Sequence, residues 1–229
     1  MPLNGTGPLF KVRSHVSTDA GCMRLAELHE LARSGDFAAT LAACVEFEGS
    51  DEERLEARCI KAWCLSRLGD QAGALSESVD VLEKAELLLG RTHPLTLEAL
   101  NDVARFSARC GELSTAVAHG QAVCATRKEV LGEHHPKTLT SLANLLRYRS
   151  LLGEVVPTSE LMLLKAGWQL ADPNLLDPAH LNAWALQVEL VGDGAGAAAC
   201  LARFVEVLGE EHPDTVRTRD KLASLIDMG

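Results

Sequence analysis

The stretch LGRTHPLT at residues 89–96 recurs as LGEHHPKT at residues 131–138 and as LGEEHPDT at residues 208–215. The first two copies place their His-Pro pairs at His93 and His135, which defines a period of 42. One more period leads to Asp177-Pro178, a diverged copy, and the last copy follows after a shorter interval. Repetition at such a period is typical of chains that stack one structural unit several times.

A second signal, a glycine followed by an acidic residue, lies between these motifs. Gly111 follows Pro94 at the same distance as Gly153 follows Pro136. Glycine closes helices by adopting positive φ, whereas proline is favoured in the first turn of the next helix. The unit is therefore predicted to be a helix, a tight turn and a longer helix. The copies are Gly35-Asp36, Gly69-Asp70, Gly111-Glu112, Gly153-Glu154 and Gly192-Asp193.

The sequence thus predicts an all-α fold, an α-solenoid of about five helix-turn-helix repeats with a polar C-terminal capping helix. Ser50 and Glu53 fit the capping-box pattern where the second repeat lacks His-Pro. Small residues should let paired helices approach closely, as in Ala62 with Ala74, Ala104 with Ala116, and Ala185 with Ala197. Helices are expected at about residues 21–33, 36–48, 52–67, 71–88, 94–109, 112–130, 136–151, 156–170, 178–190, 194–208 and 213–227.

Composition limits the classes of partner. The chain has 22 Lys and Arg against 32 Asp and Glu, a net charge of −10, so nucleic acid is not expected to bind. No run approaches the ~20 apolar residues of a membrane span, and the N-terminus lacks the apolar core of a secretion signal. We therefore expect no membrane association and a cytoplasmic location. Residues 1–20 are predicted to form a flexible N-terminal arm ahead of a repeat domain at 21–229.

No metal, cofactor or catalytic residue is predicted. The seven cysteines include no C-x-x-C pair and are expected to be reduced, mostly buried thiols. The repeated histidines should lie on the order of 10 Å apart, too far to share a zinc ion with bonds of about 2 Å. The glycine-rich run at 188–198 lacks the βαβ surroundings of a dinucleotide loop and is predicted to be a repeat turn.

The pattern L-G-x-x-H-P-x-T, followed by a helix and then the turn glycine, resembles the 42-residue tetratricopeptide variant of kinesin light chain. This type also occurs in bacterial regulatory proteins as stand-alone arrays. The resemblance covers about residues 50–227 and is clearest from 89 to 153. It implies a groove, formed by the first helix of each repeat, that binds peptides. The family's paired asparagines are only partly matched, so the resemblance implies a role in gripping the peptide backbone for Asn101, Asn144 and Asn182.

Counting from the turn glycines places a strip of arginines on the groove-facing side of the first helices, namely Arg67, Arg105, Arg109 and Arg147. Guanidinium forks bind carboxylates in a bidentate manner, so an acidic peptide segment or a chain terminus is the expected ligand. Alternatively, these arginines only solvate a helix face and pair with neighbours such as Glu98 or Asp102. Trp63 also falls at a groove-facing position and could anchor a partner, whereas Trp168 and Trp184 are expected in the core.

Two functions fit this reading. The first is a non-enzymatic scaffold or regulatory adaptor that binds a protein or peptide partner in its groove. The second is a small-molecule-binding or catalytic accessory protein of a biosynthetic pathway built on the same solenoid. Convergent polar groups around a closed pocket would favour the second function, and an open groove would favour the first. Self-association into a homo-oligomer is left open.

Overall fold

The computed structural model describes residues 23–170 and 178–227, so the predicted N-terminal arm lies outside the described residues. Within these ranges the chain forms eleven helices, one for each helix expected from the sequence. They are α1 (Leu25–Arg33), α2 (Phe37–Val45), α3 (Asp51–Arg67), α4 (Gln71–Leu88), α5 (Pro94–Arg109), α6 (Leu113–Leu131), α7 (Pro136–Leu151), α8 (Thr158–Leu170), α9 (Pro178–Val191), α10 (Gly194–Leu208) and α11 (Pro213–Ile226).

The helices pack in two layers. Each helix contacts the next along the chain, and α1, α3, α5, α7, α9 and α11 also contact one another in that order. The first helices of the repeats therefore form one continuous layer, and α2, α4, α6, α8 and α10 cover it on one side. This arrangement is the α-solenoid that the sequence predicts, with α11 as its last helix.

The prolines of the His-Pro pairs start helices, as the sequence predicts, and the histidines have a role that the sequence did not reveal. Pro94, Pro136 and Pro213 occupy the first helical position, where the missing N–H is not needed. The preceding histidine is the N-cap residue, and its Nδ1 accepts a hydrogen bond from the backbone N–H of the residue after the proline. The donor and acceptor pairs are Leu95 and His93 at 3.3 Å, Lys137 and His135 at 3.1 Å, and Asp214 and His212 at 3.1 Å.

The glycine of each Gly-acidic pair follows a helix, and in the three Gly-Asp pairs the aspartate caps the next helix. Gly69 has φ of +97° and Gly111 has φ of +84°, which non-glycine residues rarely adopt. After Gly69, the Asp70 carboxylate accepts the backbone N–H of Gly73 at 2.8 Å, so it caps α4. Asp36 and Asp193 do the same for α2 and α10. The run at 188–198 is therefore a repeat turn, as predicted.

Three helix ends differ from the prediction by two residues or more. The first helix, α1, begins at Leu25 rather than near residue 21, because Arg24 is its N-cap residue and has an extended backbone. The second helix, α2, ends at Val45 rather than near residue 48, and Phe47 beyond it packs against buried residues of α1, α2 and α3. The eighth helix, α8, begins at Thr158 rather than near residue 156, since Val155 is exposed and Pro157 precedes the first turn. The capping box is present at the start of α3. The backbone N–H of Glu53 donates to Ser50 Oγ at 3.3 Å, and the backbone N–H of Ser50 donates to Glu53 Oε2 at 2.8 Å.

Small apolar residues and one buried charge hold the layers together. The alanines on either side of the turn glycines are at most 5% exposed: Ala62, Ala74, Ala104, Ala116, Ala185 and Ala197. Arg127 of α6 is 2% exposed, and it donates to Ser141 Oγ at 2.8 Å and to the carbonyl of Leu97 at 3.3 Å. Because these partners lie on α7 and α5, Arg127 ties three consecutive helices together.

The described part of the chain has no helix with both the length and the apolar character that a membrane span requires. The six cysteines there are not bonded to one another. Burial raises the pKa of Cys44 to about 12, of Cys64 to about 11 and of Cys200 to about 12. A raised pKa keeps these thiols protonated, so they act as small apolar groups of the core.

Close packing between α7 and α8 predicts the effect of a single methyl group. In Gly167→Ala the new Cβ would overlap Leu139 Cδ2 and lie 3.2 Å from its Cδ1, and Leu139 is fully buried. We expect a loss of about 1–3 kcal/mol in the free energy of unfolding, measured by urea denaturation, because an overpacked core must shift.

Gly120→Ala is the matched control, since Gly120 is also a buried helical glycine. Its new Cβ would come no nearer than 3.4 Å to Leu145 Cδ1, an ordinary contact. This variant should be unchanged or more stable by up to ~1 kcal/mol, because alanine favours the helix. Equal destabilisation of the two variants would contradict the packing described between α7 and α8.

Candidate functional site

A cavity of about 350 Å³ opens between the first helices α1, α3 and α5. We call it the groove cavity. Its lining combines apolar and charged side chains. The lining residues are His29, Ala32 and Arg33 of α1, Glu56, Cys59, Ile60 and Trp63 of α3, and Leu95, Glu98, Asp102 and Arg105 of α5.

Three acidic residues, Glu56, Glu98 and Asp102, line the groove cavity. His29 Nε2 and Glu56 Oε1 are 2.8 Å apart and join α1 to α3. Burial alone would raise the pKa of Glu98, but the nearby cations Arg127 and Lys137 hold it below its usual range. Burial does raise the pKa of Asp102, even though Arg105 Nη2 donates to its Oδ1 at 2.7 Å. The lowered pKa keeps Glu98 charged, whereas ionisation of Asp102 is opposed by its burial.

A group of arginines adjoins the groove cavity, and Arg105 is its member that lines the cavity. We call this group the arginine cluster; it consists of Arg67, Arg105, Arg109 and Arg147. Arg67 lies over two aromatic rings, with Cζ 5.0 Å from the centroid of Phe37 and 5.8 Å from that of Trp63. These two rings meet edge to face at 5.0 Å. The aromatic support orients the flat guanidinium of Arg67 and leaves its N–H edges available for an acceptor.

Arg105 and Arg109 are held by contacts of a different kind. Arg105 is fixed by Asp102 and lies 4.7 Å from the ring centroid of Phe106. Arg109 Nη1 donates to the hydroxyl of Ser66, at the end of α3, and Ser66 in turn donates to Gln71 Oε1 at 2.8 Å. The hydroxyl of Ser66 therefore ties the last turn of α5 to the last turn of α3.

The arginine cluster is largely without neutralising acids. Within residues 23–170 and 178–227, nearly every Lys and Arg has an acidic oxygen within 4.0 Å. In this part of the chain the exceptions are Arg67, Arg109, Arg147 and Arg219. Three of them belong to the cluster, so an unpaired positive charge is concentrated at one place in an acidic protein.

Electrostatic effects indicate that the four arginines converge. Partial loss of water and then repulsion by Arg105, Arg147 and Arg67 lower the pKa of Arg109. Burial raises the pKa of Tyr148 to about 12, while Arg105, Arg147 and Arg109 act to lower it. Because the charges of the other three arginines act on Arg109, the cluster spans α3, α5 and α7.

The predicted site residues divide into two groups. Trp63 and Arg105 line the groove cavity, and the other arginines extend from it along the first-helix layer. Asn101, Asn144 and Asn182 lie half-buried on α5, α7 and α9 and do not line this cavity. The pairing of Arg105 with Asp102 is the contact that the solvated-face alternative predicted, but Arg67, Arg109 and Arg147 have no such partner among the described residues.

Sequence reasoning missed Phe37 and Ser66, which contact Arg67 and Arg109, and Glu56, which lines the groove cavity. The period of 42 relates Glu56 to Glu98, Trp63 to Arg105 and Arg67 to Arg109. Because Glu56 is one period before Glu98, the repeat could have indicated that the two residues are equivalent. Nothing in the sequence pointed to Phe37 or Ser66, because their roles depend on contacts between helices. The structure places Trp168 and Trp184 stacked at 6.3 Å, with Trp168 buried in the core.

Metal ligation is not evident in the described part of the chain, where no group of three or more His, Cys, Asp or Glu could hold an ion. The repeated histidines cap helices there. The local chemistry of the groove is therefore that of apolar side chains, three acidic residues and the adjoining arginine cluster.

The two layers of paired helices and the first-helix groove are those of an α-solenoid. The family model described as "Tetratricopeptide repeat" matches residues 96–137, which span α5 and α6 and reach the start of α7. No curated protein matches the chain.

Solved structures place the fold more narrowly, among repeats similar to those of kinesin light chain. One solved structure is that of nearly identical TPR-like repeats of a Podosopora anserina protein described as a kinesin light chain. It is 18% identical in sequence to this chain and superposes on it with a TM-score of 0.56. The match covers 90% of this chain and 96% of that one. BtubC (BKLC) from P. vanneervenii is 15% identical with a TM-score of 0.57, covering 87% and 80% respectively. The kinesin light chain-like repeat fold expected from the sequence is confirmed.

The raised pKa of Asp102 predicts how its charge affects stability at different pH. A carboxyl whose pKa is raised by folding is ionised first in the unfolded chain, so its ionisation reduces stability as pH rises above about 3.8. The stability of Asp102→Asn relative to the natural chain should therefore increase between about pH 3 and pH 7, measured by urea denaturation at each pH.

Asp80→Asn is the control with the opposite sign. Hydrogen bonds from Lys84 and Arg58 hold the pKa of Asp80 below its ordinary 3.8, so ionised Asp80 stabilises the fold above that range. The relative stability of Asp80→Asn should fall over the same rise in pH. If the relative stabilities of both variants changed in the same direction with pH, the raised pKa of Asp102 would be contradicted.

Proposed function

We propose that this chain is a non-catalytic scaffold or adaptor that holds a protein or peptide partner along its first helices. The observation that supports this proposal is the arginine cluster, whose charge is largely unpaired and which adjoins the apolar groove cavity. Tetratricopeptide solenoids are built for such docking, because their stacked helices present an extended, preformed groove. The partner would be protein, with an acidic segment as the bound element.

The charges favour an acidic segment over a neutral one. A carboxylate beside Arg67, Arg109 or Arg147 would meet guanidinium groups that no acidic side chain of the described chain neutralises. Two N–H groups of one guanidinium can contact both oxygens of a carboxylate, which adds orientation as well as energy. Contacts of this kind contribute about 1.5–3 kcal/mol when they are shielded from water and less at the surface.

The groove cavity provides the second half of the recognition. Its apolar lining includes Trp63, Ile60 and Leu95 and adjoins Arg105, which belongs to both the cavity and the arginine cluster. An apolar side chain of the partner could occupy the cavity while a neighbouring acidic residue contacts the cluster. Burial of about 100 Å² of apolar surface would add about 2.5 kcal/mol before the entropy of ordering is subtracted.

The proposal is tested by charge reversal within the cluster. Fluorescein-labelled peptide libraries, one enriched in Asp and Glu and one in Lys and Arg, are titrated with the protein and followed by fluorescence anisotropy. The acidic library should bind more tightly, and Arg105→Glu with Arg147→Glu should weaken that binding at least about tenfold, because attraction becomes repulsion. Raised salt should also weaken the binding of the natural chain.

Arg91→Glu with Arg219→Glu is the matched control. It makes the same change in charge at two exposed arginines outside the cluster, so it should leave binding nearly unchanged. Circular dichroism checks that both double variants remain helical. If the two double variants bind equally well, or if the basic library binds best, the partner does not dock on the arginine cluster.

A further inference from the structure

The arginine cluster carries more positive charge than one carboxylate of a ligand can neutralise. Arg105 is matched within the chain by Asp102, at 2.7 Å. Arg67, Arg109 and Arg147 have no acidic partner within the residues that the structure describes. A single aspartate or glutamate of a bound peptide would leave most of this charge unsatisfied. Burial first, and then repulsion by the other three arginines, lowers the pKa of Arg109, and this repulsion would largely remain.

The guanidinium groups are supported by contacts that leave donors free. The flat face of Arg67 rests on Phe37 and Trp63, and the ring of Phe106 lies beside Arg105. Only one nitrogen of Arg109 is bound to Ser66. Several N–H donors are thus held in place near one another and remain available for an acceptor.

From this arrangement we infer that the arginine cluster recognises a phosphoryl group on a serine or threonine side chain of the docked peptide. The inference rests on the proposed function and specifies its ligand. A phosphoryl group carries a charge of about −1.5 to −2 near neutral pH and has three strong acceptor oxygens. It can therefore contact several guanidinium forks at once, whereas a carboxylate offers one charge and two oxygens.

The surroundings favour a single phosphoryl group over a polyanion. Glu56, Glu98 and Asp102 line the groove cavity next to the cluster, and the whole chain has a net charge of −10. A nucleic acid would bring further phosphates against these carboxylates, where like charges repel. An isolated phosphoryl group within a peptide avoids this repulsion, since the flanking residues can be apolar or neutral.

The test compares three libraries of fluorescein-labelled peptides that share random flanking positions and differ only in the central residue. That residue is phosphoserine, aspartate or serine. By anisotropy titration, the phosphoserine library should bind at least about tenfold more tightly than the aspartate library, because additional charge-assisted hydrogen bonds form. The serine library should bind most weakly. Inorganic phosphate at millimolar concentration should compete only weakly, because it lacks the peptide contacts.

Single substitutions test whether the preference for phosphoserine depends on the arginine cluster. Arg109→Gln and Arg67→Gln should each reduce the preference for phosphoserine over aspartate severalfold, and Arg219→Gln should leave it unchanged. Arg109→Lys keeps the charge but loses the guanidinium fork, so it should retain part of the preference. Thermal unfolding confirms that each variant is folded before its binding is compared.

The outcomes separate this inference from the function on which it rests. Equal binding of the phosphoserine and aspartate libraries overturns the inference but leaves an acidic-peptide scaffold in place. Failure of both libraries to bind overturns the inference and the proposed function together. A phosphoserine preference that survives both Arg67→Gln and Arg109→Gln, or free phosphate that binds as tightly as the phosphopeptides, also overturns the assignment of the peptide phosphoryl group to this cluster.

Discussion

The whole arrangement depends on how each helix is stopped and the next one started. A glycine at positive φ ends the helix, and an aspartate or a His-Pro pair caps the following one, as Gly69 with Asp70 and His93 with Pro94 illustrate. Both devices satisfy backbone N–H groups that a helix end would otherwise leave unpaired. Because the caps recur at nearly constant spacing, positions one period apart are equivalent in neighbouring repeats. The groove is a consequence of this register.

The register determines what the groove presents. Trp63, Arg105 and Arg147 follow one another at intervals of one period, and so do Arg67 and Arg109. Stacking the repeats turns these scattered residues into a compact patch, where their like charges act on one another. Such a patch is unfavourable in isolation, since the guanidinium groups repel. The aromatic rings, Ser66 and Asp102 hold it in place, and an anionic ligand would relieve the repulsion.

Much of the fold could be predicted because its signals are local. Turn glycines, capping residues and small residues at helix crossings act within a few positions of the chain, so the eleven helices of the described ranges could be anticipated to within a few residues. Phe37, Ser66 and the buried Arg127 could not, since each acts through partners on other helices. An arginine in a polar helix sequence looks solvent-exposed until the neighbouring helices are in place. The period predicts which positions face the groove, but it does not predict the contacts between side chains there.

The central claim is that an anionic group of a partner binds where the arginines of α3, α5 and α7 meet. A crystal structure of the chain with a bound acidic or phosphorylated peptide tests it most directly. We expect peptide oxygens within about 3 Å of guanidinium nitrogens from at least two of Arg67, Arg105, Arg109 and Arg147. A peptide bound to another surface, or Arg67, Arg109 and Arg147 paired with acidic residues of the chain itself, would contradict the claim.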